Sequence, residues 1–374
     1  MSEIVGRVFE WANKTLPLDV GEHVIGVDMV AQEIIQKLDQ MRSISMLGLW
    51  GFGGIGKSTS ARELYNRLRT RFEASTFVED VTDKVMQGGI VKIQGRILKD
   101  LCKSESYGID DKSRGKIVLE ERLCEKRILV VLDDVCENVE MEYLLSRKMI
   151  LQGSMCIVTS RDKRTLQATK SFGVTGAVHV HDVQPLEYEK SRRVFTSFAL
   201  GSALKVSNEL EELVASITKA CGGVPLVLKV CGALLKDEND MDIWKDVLKN
   251  LKCGSIMDEE KIFRCLRISY DGLKAQHKEM FLDIACALLG QSKDMAIQVW
   301  RSQGWSAPLG VRSLVEKALV TIDGYGHFGM HDHLRDMGRA IVKEEEAHEG
   351  VTQRLWDPES LKLLRINEVS FKML

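Results

Sequence analysis

Apolar positions fall at helical spacing across Ile4–Ala12, and a linker follows at Leu16–Gly21, which contains Pro17. After Val24–Val27 an amphipathic helix is expected around Met29–Met41. From Ser43 the texture changes to short apolar runs at Ile44–Trp50, Thr76–Val78, Ile128–Leu132, Cys156–Thr159 and Val178–Val180. Helical patterns such as Lys57–Thr70 and Ile90–Cys102 lie between them. Alternation of this kind predicts an α/β fold, a doubly wound parallel sheet with helices on its faces.

Past Pro185 the strand-like runs nearly vanish. Helical spacing predicts helices over Glu187–Ala199, Asn208–Ala220, Pro225–Lys236, Met241–Leu251, Lys261–Tyr270 and Ala275–Leu288. More are expected at Asp294–Arg301, Leu309–Lys317 and His333–Glu346. Leu319–Ile322 and His327–Gly329 read as a small hairpin turning at Asp323–Gly324. Helices, one hairpin and a final helix predict a winged-helix unit. No repeat of fixed period is present. Leu361–Ile366 has leucine-rich spacing for less than one repeat, where roughly three are needed for a stable solenoid.

Composition narrows the class. A chain of 374 residues suggests two or three domains. Its 44% hydrophobic and 28% charged shares are those of a globular protein. A formal net charge of −2, with no Lys/Arg block, argues against a nucleic-acid platform. The charge run Lys343–Glu346 reads as a solvated helix face. The nine cysteines include no Cys-x-x-Cys pair, which excludes the common zinc spacings and gives no disulfide framework. Buried free thiols in a reducing compartment are expected. Glu3, Arg7, Glu10, Lys14 and Asp19 interrupt the first twenty residues, so no signal-peptide core is expected there. No stretch approaches the ~18 apolar residues of a membrane span. These features predict a soluble protein of the cytoplasm, with or without the nucleus.

The chemistry concentrates after the first strand-like run. Gly51-Phe-Gly-Gly-Ile-Gly-Lys-Ser58 is a complete Walker A pattern, placed between a strand and a helix. Gly51, Gly53, Gly54 and Gly56 let the backbone curl around Ile55 until its N–H groups point at phosphate oxygens. The helix opening near Lys57 adds its positive dipole end. Lys57 supplies a point charge for the β- and γ-phosphates, Ser58 a hydroxyl for Mg²⁺, and Thr59 a hydroxyl within reach of the α-phosphate. Downstream, Ile128–Leu132 ends in Asp133-Asp134, a buried strand with carboxylates at its C-terminal edge. Asp133 is the candidate magnesium carboxylate and Asp134 the candidate that orients or deprotonates water. With a strand at Thr76–Val78 in between, this spacing favours the P-loop branch whose Walker A and Walker B strands are not neighbours. Cys156–Thr159 ends in Ser160-Arg161, where Arg161 is either a γ-phosphate sensor or a surface cation paired with Asp162.

These motifs, in this order, resemble the NB-ARC module of plant disease-resistance proteins and animal apoptosis activators. The resemblance runs from about Val24 to Pro358. Cys221-Gly-Gly-Val-Pro225-Leu-Val-Leu is similar to the family's Gly-Leu-Pro-Leu-Ala motif, Phe281–Cys286 to a later block, and Met330-His331-Asp332 to its Met-His-Asp signature. Arg354–Pro358 resembles the segment leading toward a leucine-rich repeat. The resemblance implies that Val24 and Ile25 read the adenine edge, that Pro225 packs beside the adenosine, and that His331 touches the β-phosphate of ADP. Without it, Pro225 is a helix start, His331 a structural histidine and Asp332 an N-cap for His333–Glu346. Phe281–Cys286, Asp336–Arg339 and Arg354–Pro358 look like the Toll/interleukin-receptor subclass. Cys136 matches neither subclass, His333 replaces a usual leucine, and Met1–His23 is too short for that signalling domain.

The expected organisation is a helix and linker over 1–23, a P-loop domain over 24–184 of the STAND/ASCE type and a helical subdomain over 185–255. A winged-helix subdomain over 256–350 and a linker over 351–374 complete it. The expected function is an ADP/ATP switch of an intracellular immune receptor, at most a slow Mg²⁺-dependent ATPase. Exchange of ADP for ATP would favour a homo-oligomer that engages other signalling proteins. The alternatives are a P-loop kinase or ATPase acting on a small molecule, which needs an acceptor lid, and a STAND-type transcription regulator, which needs DNA.

Overall fold

The five apolar runs form one parallel sheet in the computed structural model. It describes residues 17–21, 24–40, 44–102, 108–136, 139–146, 148–150, 153–168, 177–200, 207–252, 259–349 and 354. The helix expected at Ile4–Ala12 and the tail beyond Arg354 lie outside these residues.

The strands are β1 (Ile44–Trp50), β2 (Ala74–Val78), β3 (Ile128–Leu132), β4 (Met155–Ser160) and β5 (Ala177–Asp182), in the order β2-β3-β4-β1-β5. All neighbours pair in parallel. β4 therefore separates the Walker A strand β1 from the Walker B strand β3. Every residue of β3 is buried, as a central parallel strand requires. Side chains alternate between the faces. Met46, Val130, Leu132, Cys156 and Val158 join one core with Ile93, Ile97, Leu119 and Leu166. The helix after β1, α2 (Lys57–Leu68), packs on β1, β3 and β4. It follows α1 (Val27–Gln40), which packs against it. In the described part of the linker, Leu18 is held at both N–H and C=O by the Asn66 side chain, at 2.7 and 2.8 Å.

Among the helices that flank the sheet, α3 (Val81–Cys102), α4 (Lys112–Leu123) and α5 (Lys163–Ala168) differ from the sequence reading. α3 begins at Val81 rather than Ile90, with non-helical backbone at Gly89 (φ 73). α4 and α5 were not expected. Polar residues fill most of α4, so periodicity is faint. Its signal is Asp111, whose Oδ1 accepts from Ser113 and Arg114 N–H at 2.7 and 3.0 Å.

The chain divides between Gln184 and Pro185 into two compact units. The second contains α6 (Tyr188–Ala199), α7 (Asn208–Ala220), α8 (Pro225–Leu234), α9 (Met241–Leu251) and α10 (Glu259–Asp271). α6 and α8 approach closely at Gly232, where a Cβ would lie 2.8 Å from the Phe195 carbonyl. Phe195 packs edge-on against the buried Trp244 of α9. Then come α11 (Ala275–Asp283), α12 (Lys293–Ser302), α13 (Ala307–Glu316), β6 (Thr321–Ile322), β7 (Phe328–Gly329) and α14 (Asp332–Glu349).

The hairpin forms with shorter strands than expected. Leu319 and Val320 are buried, and their N–H groups go to the Leu314 carbonyl at the end of α13 instead of a strand. The helix expected over Ala275–Leu288 is α-helical to Asp283 and then turns π-helical over Ile284–Leu288. There Arg339 Nε donates to the Ala285 carbonyl at 3.2 Å.

Candidate nucleotide site

In the first unit, β1 ends at Trp50 and the chain curls into the loop before α2. Gly54 (φ 70) and Gly56 (φ 103) occupy the left-handed region, which side chains other than glycine rarely adopt. Gly53 is buried in the loop, and Ile55 is buried beneath it. A Cβ on Gly51 would meet the Ile55 side chain at 3.0 Å and the Val183 carbonyl at 3.2 Å. Val183 N–H donates to the Trp50 carbonyl at 2.8 Å and ties the end of β5 to the loop's root. Lys57 is buried, and its Nζ donates to the carbonyls of Gly51 (2.9 Å) and Phe52 (2.8 Å). Ser58 and Thr59 follow on the first turn of α2, both half-buried. A backbone wound this way, with a lysine curled over it and a helix N-terminus behind it, fits an anionic phosphate chain.

The carboxylates lie at the same C-terminal edge of the sheet. Asp133 is buried, and its Oδ1 accepts from the Thr159 hydroxyl at 2.6 Å. Asp134 takes a left-handed conformation (φ 56). Its N–H donates to Thr159 Oγ1 at 2.8 Å, and its carboxylate lies 3.7 Å from Arg161 Nε. The pairing weighed in the sequence, Arg161 with Asp162, is replaced by this one; Asp162 pairs with Arg164. Arg161 is anchored at the backbone too, since its carbonyl accepts from Trp50 Nε1 at 3.1 Å. The β3, β4 and β1 edges thus bring Asp133, Asp134 and Arg161 together. A buried carboxylate and a half-buried hydroxyl, those of Asp133 and Ser58, are the donor chemistry that magnesium takes.

Residues that motif reading missed complete this edge. Thr82, at the start of α3, donates from Oγ1 to the Asp134 carbonyl at 2.6 Å and accepts from Cys136 N–H at 3.0 Å. Lys84 donates to the Glu79 carbonyl at 2.5 Å. Burial pulls the Lys84 ammonium below its ordinary range, with Asp80, Glu79 and Asp133 acting in the opposite sense. Arg62 of α2 meets Glu79 at 3.1 Å. Hydroxyls and a lysine at a strand's end have no fixed spacing, so only the fold collects them.

Val24 is exposed and Ile25 half-buried, just before Gly26 (φ 85) and α1. In the second unit, Pro225 is the first residue of α8. The turn before it uses Gly222 (φ 62) and Gly223 (φ 74). Gly223 is pressed against Leu186: its carbonyl accepts from Leu186 N–H at 2.9 Å, and a Cβ would lie 2.5 Å from the Leu186 carbonyl. His331 is exposed, its Nδ1 accepts from His333 N–H at 3.2 Å, and its ring stacks on His333. The last helix starts one residue earlier than expected, at Asp332, whose carboxylate pairs with the buried Arg335 at 3.1 Å. The described residues include no group of three or more His, Cys, Asp or Glu side chains set to hold a metal by themselves. They also include no helix long and apolar enough to cross a membrane.

Comparison with known proteins agrees with this architecture. A family model described as "NB-ARC domain" matches residues 27–205. One described as "Disease resistance protein Roq1-like, winged-helix domain" matches residues 274–346. Disease resistance protein RUN1 of Vitis rotundifolia is 32% identical over 361 residues, 96% of this chain and 26% of that protein. TMV resistance protein N of Nicotiana glutinosa is 32% identical over 345 residues, 90% of this chain and 29% of that protein. The chain thus spans between a quarter and a third of the length of these relatives. Among solved structures, a Signal Transduction ATPase with Numerous Domains protein from Pyrococcus horikoshii superposes with a TM-score of 0.50 at 16% identity. It covers 87% of this chain and 44% of that one, and shows the fold alone.

Proposed function

We propose a nucleotide switch on this premise: the chain carries an NB-ARC domain and a Roq1-like winged-helix domain, and its homologues are plant disease-resistance proteins. The P-loop fold implies nucleotide binding. The finer reading is that the nucleotide is ADP or ATP with Mg²⁺, and that its identity selects between two forms. The observation that supports it is the single sheet edge that holds a complete phosphate loop together with Asp133, Asp134 and Arg161.

In this reading the loop N–H groups and Lys57 hold the phosphates, and Ser58 and Asp133 hold the metal, directly or through water. Magnesium, when bound, neutralises β- and γ-oxygen charge. Asp134 orients a water, so slow hydrolysis resets the switch. Arg161 senses the γ-phosphate. Val24 and Ile25 read the adenine edge and Pro225 packs beside the adenosine. His331 adds a contact to the β-phosphate of ADP that belongs to the closed form only. A ligand shifts such an equilibrium by its difference in affinity for the two forms and by nothing else. Losing the His331 contact therefore favours an open form that self-associates and engages signalling partners in the cytoplasm. Residues 185–255 serve as the helical subdomain, which lies before the winged helix in chain order. The test is the nucleotide that copurifies with the chain, identified by chromatography after denaturation. Retained ADP supports the reading; a guanine nucleotide, or none, contradicts it.

A further inference from the structure

Thr159 is fully buried near the end of β4, the strand that separates Walker A from Walker B. A threonine hydroxyl has one proton to give and lone pairs to accept with. Here the proton goes to Asp133 Oδ1 at 2.6 Å, the short range of a hydrogen bond to an ionised carboxylate. A lone pair takes the Asp134 N–H at 2.8 Å. The Thr159 carbonyl accepts from Val135 N–H at 3.0 Å, and the next hydroxyl, Ser160 Oγ, donates to the Val135 carbonyl at 2.6 Å. Both sides of the β3 turn are thereby fastened to β4. Asp133 is left little freedom to rotate about its own side chain, and the left-handed Asp134 is pinned at its N–H.

We propose that Thr159 is the positioning residue of the magnesium carboxylate: it fixes the rotation of Asp133 and the path of the Asp133–Asp134 turn, so that the metal is met by a carboxylate already in place. This rests on the reading of Asp133 as the metal's carboxylate. The logic is preorganisation, in which a group next to the ligand carries out its role only as well as its own partners hold it. Valine has nearly the shape of threonine but lacks the hydroxyl, and so removes the positioning while preserving the packing. Serine keeps the hydroxyl and loses a methyl.

The experiment measures ATP affinity with Mg²⁺ and again in EDTA, for the wild-type chain and for Asp133→Asn, Thr159→Val and Thr159→Ser. The readout is the ratio of the two affinities, which needs no turnover. Asp133→Asn is expected to abolish most of the magnesium effect. Thr159→Val is expected to reduce it about tenfold, the loss of one hydrogen bond to a charged group. Affinity in EDTA should stay at the wild-type value, and Thr159→Ser should recover most of the magnesium effect. A wild-type ratio in Thr159→Val, beside a collapsed ratio in Asp133→Asn, overturns the role of Thr159 alone. An unchanged ratio in Asp133→Asn overturns the assignment of the metal carboxylate itself. Should the valine variant fail to fold, Thr159→Cys, with a weaker donor of similar size, is scored the same way. A wild-type ratio there is equally contrary.

Discussion

Arg354 Nε donates to Asp283 Oδ1 at 2.9 Å, joining two buried side chains 71 residues apart in the second unit. Asp283 belongs to the Phe281–Cys286 block, and Arg354 opens the Arg354–Pro358 segment. Trp300 Nε1 donates to the second Asp283 oxygen at 2.9 Å, and Arg354 also reaches Glu279 at 2.6 Å. The same block is packed by Gly338, where a Cβ would lie 2.6 Å from Ala285 Cβ, and by the Arg339 bond to the Ala285 carbonyl. Sequence blocks that look independent thus meet around one π-helical turn. Their pattern reflects packing and charge pairing in the second unit.

Arg354→Gln should therefore act on stability. Removing one partner of a buried pair leaves the other charge uncompensated and costs roughly 3–5 kcal/mol. Burial pushes the Asp283 carboxyl up, while Arg354 and the Trp300 hydrogen bond pull it down. Without Arg354 the carboxyl rises further. A folded-state pKa above the unfolded value favours the fold while the group is protonated, and that advantage is lost as pH rises through the folded pKa. The variant's deficit should be largest near neutrality and shrink as pH falls toward the ordinary aspartate range. Thermal unfolding across that range checks it; a deficit that grows on acidification contradicts it.

Lys57→Ala removes the cation that curls over Gly51 and Phe52. ATP and ADP should both weaken tenfold or more, about 1.4 kcal/mol. Equilibrium binding of a fluorescent analogue checks this, and unchanged affinity for both nucleotides contradicts the phosphate loop.

Arg161 is half-buried, with its Nε 3.7 Å from the Asp134 carboxylate. If its partner in use is the γ-phosphate, Arg161→Ala should weaken ATP several-fold and leave ADP within about twofold. Equal losses for the two nucleotides would show a structural arginine.

The sheet was legible because parallel strands buried on both faces read as largely apolar runs: Ile44–Trp50, interrupted only by Ser45 and Gly48, and Ile128–Leu132 match their strands end to end. The phosphate loop was legible because glycine is the residue that left-handed positions such as Gly54 and Gly56 favour. α4 was not legible, because its buried positions, Gly115, Leu119 and Leu123, make only a thin stripe in a mostly polar segment, and Gly115 lies against Gln94. The partner of Arg161 was not legible either. Asp162 is adjacent in sequence, whereas Asp134 is brought close only by the pairing of β3 with β4. Thr159 was not legible because a hydroxyl in a strand carries no pattern apart from its two partners.

The proposed switch turns on His331. Its proposed contact belongs to one form, and a hydrogen bond to a charged group is worth roughly 1.5–3 kcal/mol, enough to change a two-state ratio by an order of magnitude. The exposed ring stacks on His333 at the head of the last helix, so removing it disturbs little of the buried structure. The most direct measurement is the dissociation rate of ADP from the wild-type chain and from His331→Ala, followed by displacement of a fluorescent analogue. The account predicts release at least tenfold faster from the variant, with unchanged thermal stability in the absence of nucleotide. Identical release rates would contradict it, leaving His331 a surface residue and the nucleotide a ligand without a switch.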